Sequence, residues 1–152
     1  MYAPRTSSST SLVPDDDTVY GCNWHDVLFV DGGNTFYLWD AVVNSRIGLE
    51  GFKKLACSKG TTYVGVSAGA ITAGERVGTA LIKGWDDPNV VEGHWDWGFE
   101  GGAGIGGDGI SFFPHYKEEW EGKVKEWEEG GGGDTVRIKE GECWVNGVGI
   151  VG

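Results

Sequence analysis

Residues 61–74 read TTYVGVSAGAITAG. Thr61 to Val66 is short, β-branched and apolar, the composition of a strand. It stops at Ser67, where small residues open a helix. A strand running straight into a helix is the repeating unit of an α/β domain with a parallel sheet. Within the turn, Gly65-Val66-Ser67-Ala68-Gly69 satisfies G-x-S-x-G. That pattern suits a nucleophile elbow, in which the serine takes strained backbone angles and the flanking glycines avoid a clash across the turn. Ser67 is therefore the candidate nucleophile. The N–H of Ala68, at the start of the helix, is a candidate oxyanion donor.

Outward from that turn the same alternation continues. Upstream, DVLFVDGGNTFYLWDAVV (26–43) begins with Val27 to Val30, a continuous apolar run suited to a strand buried on both faces. The DGGN turn follows, with Asn34 or Thr35 able to cap a helix starting near Phe36. LEGFKKLACS predicts a second helix, closed by Gly60. Downstream, ISFF (110–113) predicts another buried strand. KEEWEGKVKEWEE predicts a charged helix with Glu119/Lys123 and Glu121/Lys125 pairs. The glycines at 130–133 read as a loop. TVRI and ECWVNG read as closing strands, with an Asn-Gly turn at 146–147. The N-terminal MYAPRTSSSTSLVPDDD has no apolar period, so residues 1–17 are expected to be a disordered or poorly packed tail and 18–152 a single domain.

Composition narrows the function. The 152 residues carry 12 basic and 23 acidic side chains, a net charge of −11, which disfavours a nucleic-acid partner. No apolar run reaches membrane-spanning length. The three cysteines, Cys22, Cys57 and Cys143, form no C-x-x-C pair, so no metal site or disulfide framework is expected, and a reducing, cytoplasmic setting is. No cofactor is implied.

A serine nucleophile needs a base. Of the three histidines, His115 follows a buried strand, as Ser67 does, and strand ends of a parallel sheet share one edge. His25 precedes a strand and is assigned to the opposite edge. His94 sits in a loop. The orienting carboxylate is sought between Ser67 and His115, at Asp86 or Asp87, with Glu118 and Glu119 as fallbacks.

FVDGGNTFYLWD, YVGVSAGAITAG and FFPHY, in that order, resemble the peptidase E (aspartyl dipeptidase) family of serine peptidases. The resemblance implies the three-layer, mostly parallel sheet with flanking helices shared with the class I glutaminases. It also implies Ser67 as nucleophile, His115 as base, and a second oxyanion donor from the Gly32-Gly33-Asn34 turn, through Gly33. The family's Thr-Asn-Asp segment is replaced by TALIKGWDDP, so Asp86 and Asp87 are assigned by position, with Asp87 slightly preferred. Asn34 and Arg76 are the substrate-binding candidates, and Lys83 lies in the same region. The family begins with further strands before the GGN turn, so an N-terminally truncated domain with exposed apolar strands is expected. The implied reaction is hydrolysis of short peptides, dipeptides with an N-terminal aspartyl residue foremost. A cyanophycinase-like hydrolase and a non-catalytic remnant are the alternatives. The expected partner is a small peptide, with homo-oligomerisation left open.

Overall fold

The structure, a computed structural model, describes residues 27–94, 96–98, 100–107 and 109–152. The expected tail, the start of the domain at residue 18, and His25 lie outside the described residues.

The chain forms a mixed α/β fold whose parallel strands are flanked by helices. Strand β1 (Val27–Val30) leads through the glycine turn into helix α1 (Thr35–Val43). Asn34 caps α1, its Oδ1 accepting the N–H groups of Phe36 and Tyr37 at 3.0 Å each. Helix α2 (Gly48–Ala56) returns the chain to β2 (Thr62–Gly65), which pairs parallel with β1, Val30 opposite Gly65. The helix stops at Ala56, short of Gly60, because Cys57 to Thr61 fold into their own turn. Helix α3 (Ala68–Ala73) follows Ser67 directly.

Strand β3 (Ile110–Phe113) pairs parallel with β4 (Asp134–Arg137), Phe113 opposite Arg137. Between them runs helix α4 (Glu121–Trp127), entered through a tight turn at Glu118–Trp120. The Glu121–Lys125 pair forms at 3.5 Å. The glycines at 130–133 are not a free loop. They close a wide helical turn at Glu128–Gly132 onto the Trp127 ring, which leaves no room for a Cβ on Gly132. Strands β5 (Cys143–Val145) and β6 (Gly149–Val151) make the antiparallel hairpin expected at Asn146-Gly147.

The strands fall into three two-stranded sheets, β1–β2, β3–β4 and β5–β6. Helix α3 joins the first two. Its C-terminal Gly74 lies against Ser111, and Glu75 N–H donates to the Ile110 carbonyl at 2.7 Å. The main core packs Phe36, Trp39, Phe52, Ile71, Val77 and Trp97 between the helices and the inner face of β1–β2. The outer face of that pair is apolar and open: Val27 is 61% exposed and Phe29 57%, with Val64 and Val66 beside them. Val27 to Val30 is therefore buried on one face and not, as its apolar run suggested, on both, because none of the described residues packs on the face that carries Val27 and Phe29. Among the described residues no helix is long and apolar enough to cross a membrane.

Candidate active site

Four strand ends build the site. In a parallel pair both C-termini emerge at one edge. β1 ends in Asp31-Gly32-Gly33 and β2 in Val66-Ser67. β3 ends in Pro114-His115, and the segment after β4 carries Glu140.

Ser67 is held in the elbow expected of it, with φ 52° and ψ −109°. The glycines around it are sterically required. A Cβ on Gly69 would stand 2.1 Å from the Val30 carbonyl oxygen, and one on Gly65 would stand 2.6 Å from the Gly69 backbone. The glycine turn after β1 lies against the serine, since a Cβ on Gly32 would meet Ser67 Cβ at 3.3 Å. Asp31 Oδ1 takes the Gly32 N–H at 2.7 Å, and the Val66 carbonyl takes the Gly69 N–H at 2.9 Å. Among the described residues the N–H groups of Gly33, Asn34, Ser67 and Ala68 have no acceptor, so the expected oxyanion donors Gly33 and Ala68 are among several free donors at the turn. Gly33 has φ 133°, a backbone that favours glycine.

His115 also has a left-handed backbone, φ 55°. Ser67 and His115 are the non-glycine residues of positive φ among those described. Such strain costs on the order of 1–3 kcal/mol and gathers at functional sites. Both residues line one small cavity of about 30 Å³, together with Thr79, Lys83, Trp85 and Asp86. Among the described residues no hydrogen bond joins the Ser67 hydroxyl to the His115 ring. Catalytic hydrogen bonds often tighten only around substrate.

The partner of the imidazole is Glu140. His115 Nδ1 lies 2.5 Å from Glu140 Oε1. The bond to His115 holds the Glu140 carboxyl below its ordinary range, helped by the nearby Lys83 and Lys117 charges. Neither aspartate bonds the ring. Asp86 lines the cavity, but its Oδ2 accepts the Thr35 N–H at 2.9 Å, at the start of α1. Asp87 caps the turn at Pro88–Val90 through the Asn89 N–H, and its carbonyl takes Asn34 Nδ2 at 2.9 Å. Asp86 and Asp87, expected as the orienting acid, do not bond the imidazole here: both hold the 84–89 segment to the N-terminus of α1. Glu118 bonds Tyr116 and Lys139, not the imidazole.

Both ends of the Asn34 amide are engaged in capping and in holding Asp87. Arg76 bridges to Gly101 and does not line the cavity, where the cation is Lys83. His94 stacks on Trp97 at 3.6 Å, away from Ser67. Among the described residues no cluster suits a metal ion.

Residues 12–126 match the model of peptidase family S51. The fold is similar to a 1.5 Å crystal structure of a protein from Listeria monocytogenes EGD-e that carries a peptidase E assignment. The TM-score is 0.57 and the identity 23%, over 81% of this chain and 56% of that one. The chain thus spans little more than half the length of that protein, and the likeness speaks for the fold alone. No curated protein matches the chain.

Proposed function

The chain belongs to peptidase family S51, and on that premise we propose that it is a serine peptidase acting on short peptides through an acyl-enzyme at Ser67. The observation that carries the reading is the pairing of backbone strain with position: two left-handed non-glycine residues, a serine and a histidine, line one cavity.

In this mechanism the Nδ1–H of His115 donates to Glu140, which leaves Nε2 as the base. Nε2 takes the Ser67 proton as Oγ attacks the peptide carbonyl. The N–H groups of Ala68 and Gly33 hold the oxyanion. The imidazolium then protonates the departing amine, and water releases the acyl group by the same steps in reverse roles. Glu140 stabilises the imidazolium and fixes its tautomer. Dipeptides with an N-terminal aspartyl residue are the substrates that the resemblance to peptidase E implies.

The test is hydrolysis of Asp-Leu, Glu-Leu, Ala-Leu and a β-aspartyl dipeptide by the purified chain, beside Ser67→Ala. Cleavage of Asp-Leu that falls by at least about 10³-fold in the variant is expected. Preference for the β-aspartyl dipeptide would point to the cyanophycinase-like alternative. A folded chain that cleaves none of the four would overturn the reading.

A further inference from the structure

Lys83 has no part in the scheme above, and its surroundings are unusual for a lysine. It follows the short turn Gly78–Ile82 and lines the cavity with Ser67. Its Nζ lies 4.4 Å from the ring centroids of both Trp85 and Phe113 and donates to the Pro114 carbonyl. Phe113 and Pro114 are the two residues before His115.

The backbone around His115 gives this contact its meaning. Ile138 N–H donates to the Phe113 carbonyl at 3.1 Å, and Tyr116 N–H donates to the Ile138 carbonyl at 2.9 Å. Residues 113 and 116 are thus pinned to the chain leaving β4. Pro114 and His115 bulge out between them. Proline has no N–H to offer, and among the described residues the Pro114 carbonyl is held by Lys83. A residue with the φ of His115 persists only where its surroundings over-determine it.

We propose that Lys83 is a positioning residue for His115: its ammonium clamps the Pro114 carbonyl, so that the imidazole keeps Nδ1 on Glu140 and leaves Nε2 for Ser67. The kinetic consequences rest on the serine peptidase reading; the structural ones do not.

Protonation of Lys83 makes the clamp pH-dependent. Burial beside the aromatic rings pushes its pKa down to about 8, while Glu140 and Asp86 favour the ammonium and Lys117 opposes it. His115 also faces the cavity and is bound to Glu140; Trp85 and Phe113 are uncharged. The ammonium is present below about pH 8 and lost above it. A charge-assisted hydrogen bond and a cation–π contact both need that charge. The rate should therefore fall as pH rises through about 8. In Lys83→Arg the guanidinium stays charged, so the fall should move to higher pH.

The experiment uses the full chain and two readouts. The ring nitrogens of His115, followed by NMR through their carbon-bound protons, should show a single Nδ1–H tautomer in the unmodified protein and a mixture in Lys83→Met. In the same variant kcat should fall at least about tenfold with KM within about twofold, and Lys83→Arg should restore most of it. A single tautomer retained in Lys83→Met would overturn the proposal, as would a raised KM with unchanged kcat, the mark of a substrate contact. If Lys83→Met does not fold, the unmodified chain decides: tautomer mixing as pH passes about 8 supports the clamp, and an unchanged tautomer overturns it. The tautomer does not require turnover. A chain that cleaves no peptide yet loses its single tautomer in Lys83→Met contradicts the peptidase reading alone.

Discussion

The β1–β2 pair is open to solvent on one face, whereas Ser111, Phe112 and Phe113 of β3 are buried, yet each pair delivers half of the candidate site. They do so by different means. The elbow at the end of β2 is fixed by backbone packed on backbone, with Gly69 against the Val30 carbonyl and Gly65 against Gly69. Side-chain bonds supplement that packing, Tyr63 donating to the Gly69 carbonyl at 2.7 Å and Thr72 to the Ala68 carbonyl at 2.8 Å. The turn at the end of β3 is fixed by side chains drawn from elsewhere: Glu140 on the imidazole, Lys83 on the Pro114 carbonyl, and an ionic network beneath. In that network Tyr116 donates to Glu121 at 3.0 Å, and Arg137 binds both Glu121 and Glu128. Steric fixation tolerates no added atom. Polar fixation tolerates added atoms but depends on charge.

The sharpest way to break this contrast is one methyl group on each kind of glycine. Gly69→Ala should destabilise the fold by about 3 kcal/mol and abolish hydrolysis, because its Cβ collides with the Val30 carbonyl. Gly122→Ala, in α4 with open space around it, should be neutral or stabilise by up to about 1 kcal/mol. Chemical denaturation of the two variants checks both. Equal losses would remove the distinction.

Polar fixation is tested next by Glu140→Gln. The Glu140 side chain is 75% exposed, so thermal stability should hardly change while kcat falls about 10²-fold. Asp87→Asn should leave kcat close to that of the unmodified chain, since its carboxylate serves a cap. The reverse ranking would return the acid role to the 84–89 segment.

The smallest effect belongs to the ionic network. Arg137 holds the Glu121 carboxyl down at about 2, against an ordinary 4.5. A carboxyl depressed in the folded state stabilises fully above its unfolded value and loses that contribution as pH falls through the folded one. Arg137→Met should therefore lower the melting temperature by a few degrees at pH 7. The gap should narrow as pH drops from about 4.5 to about 2. A gap independent of pH would mean that Arg137 acts by packing alone.

What was legible in the sequence follows the same division. The elbow could be read because steric fixation is local: Gly65, Ser67 and Gly69 sit within five residues, and an apolar strand precedes them. The placement of His115 beside the cavity of Ser67 could be read because it follows a buried strand. Glu140 was missed, though it follows TVRI much as His115 follows ISFF. TVRI reads in sequence only as a closing strand, and its parallel pairing with β3 is what brings Glu140 to the shared edge. The partners of the aspartates are not legible, because chain order says nothing about what a carboxylate binds. Asp86 and Asp87 find their partners at Thr35 and Asn34, some fifty residues away in sequence. The split into three small sheets was likewise unreadable, since it depends on how α3 and the residues after it wedge between β2 and β3.

The central claim is that Ser67 is a nucleophile activated by His115. The most direct test is to treat the folded chain with a fluorophosphonate and locate the adduct by mass spectrometry of its peptides. The account predicts a phosphonyl group on Ser67, absent when His115 is replaced by Ala. A folded chain left unlabelled at Ser67, or labelled equally well without His115, would contradict it.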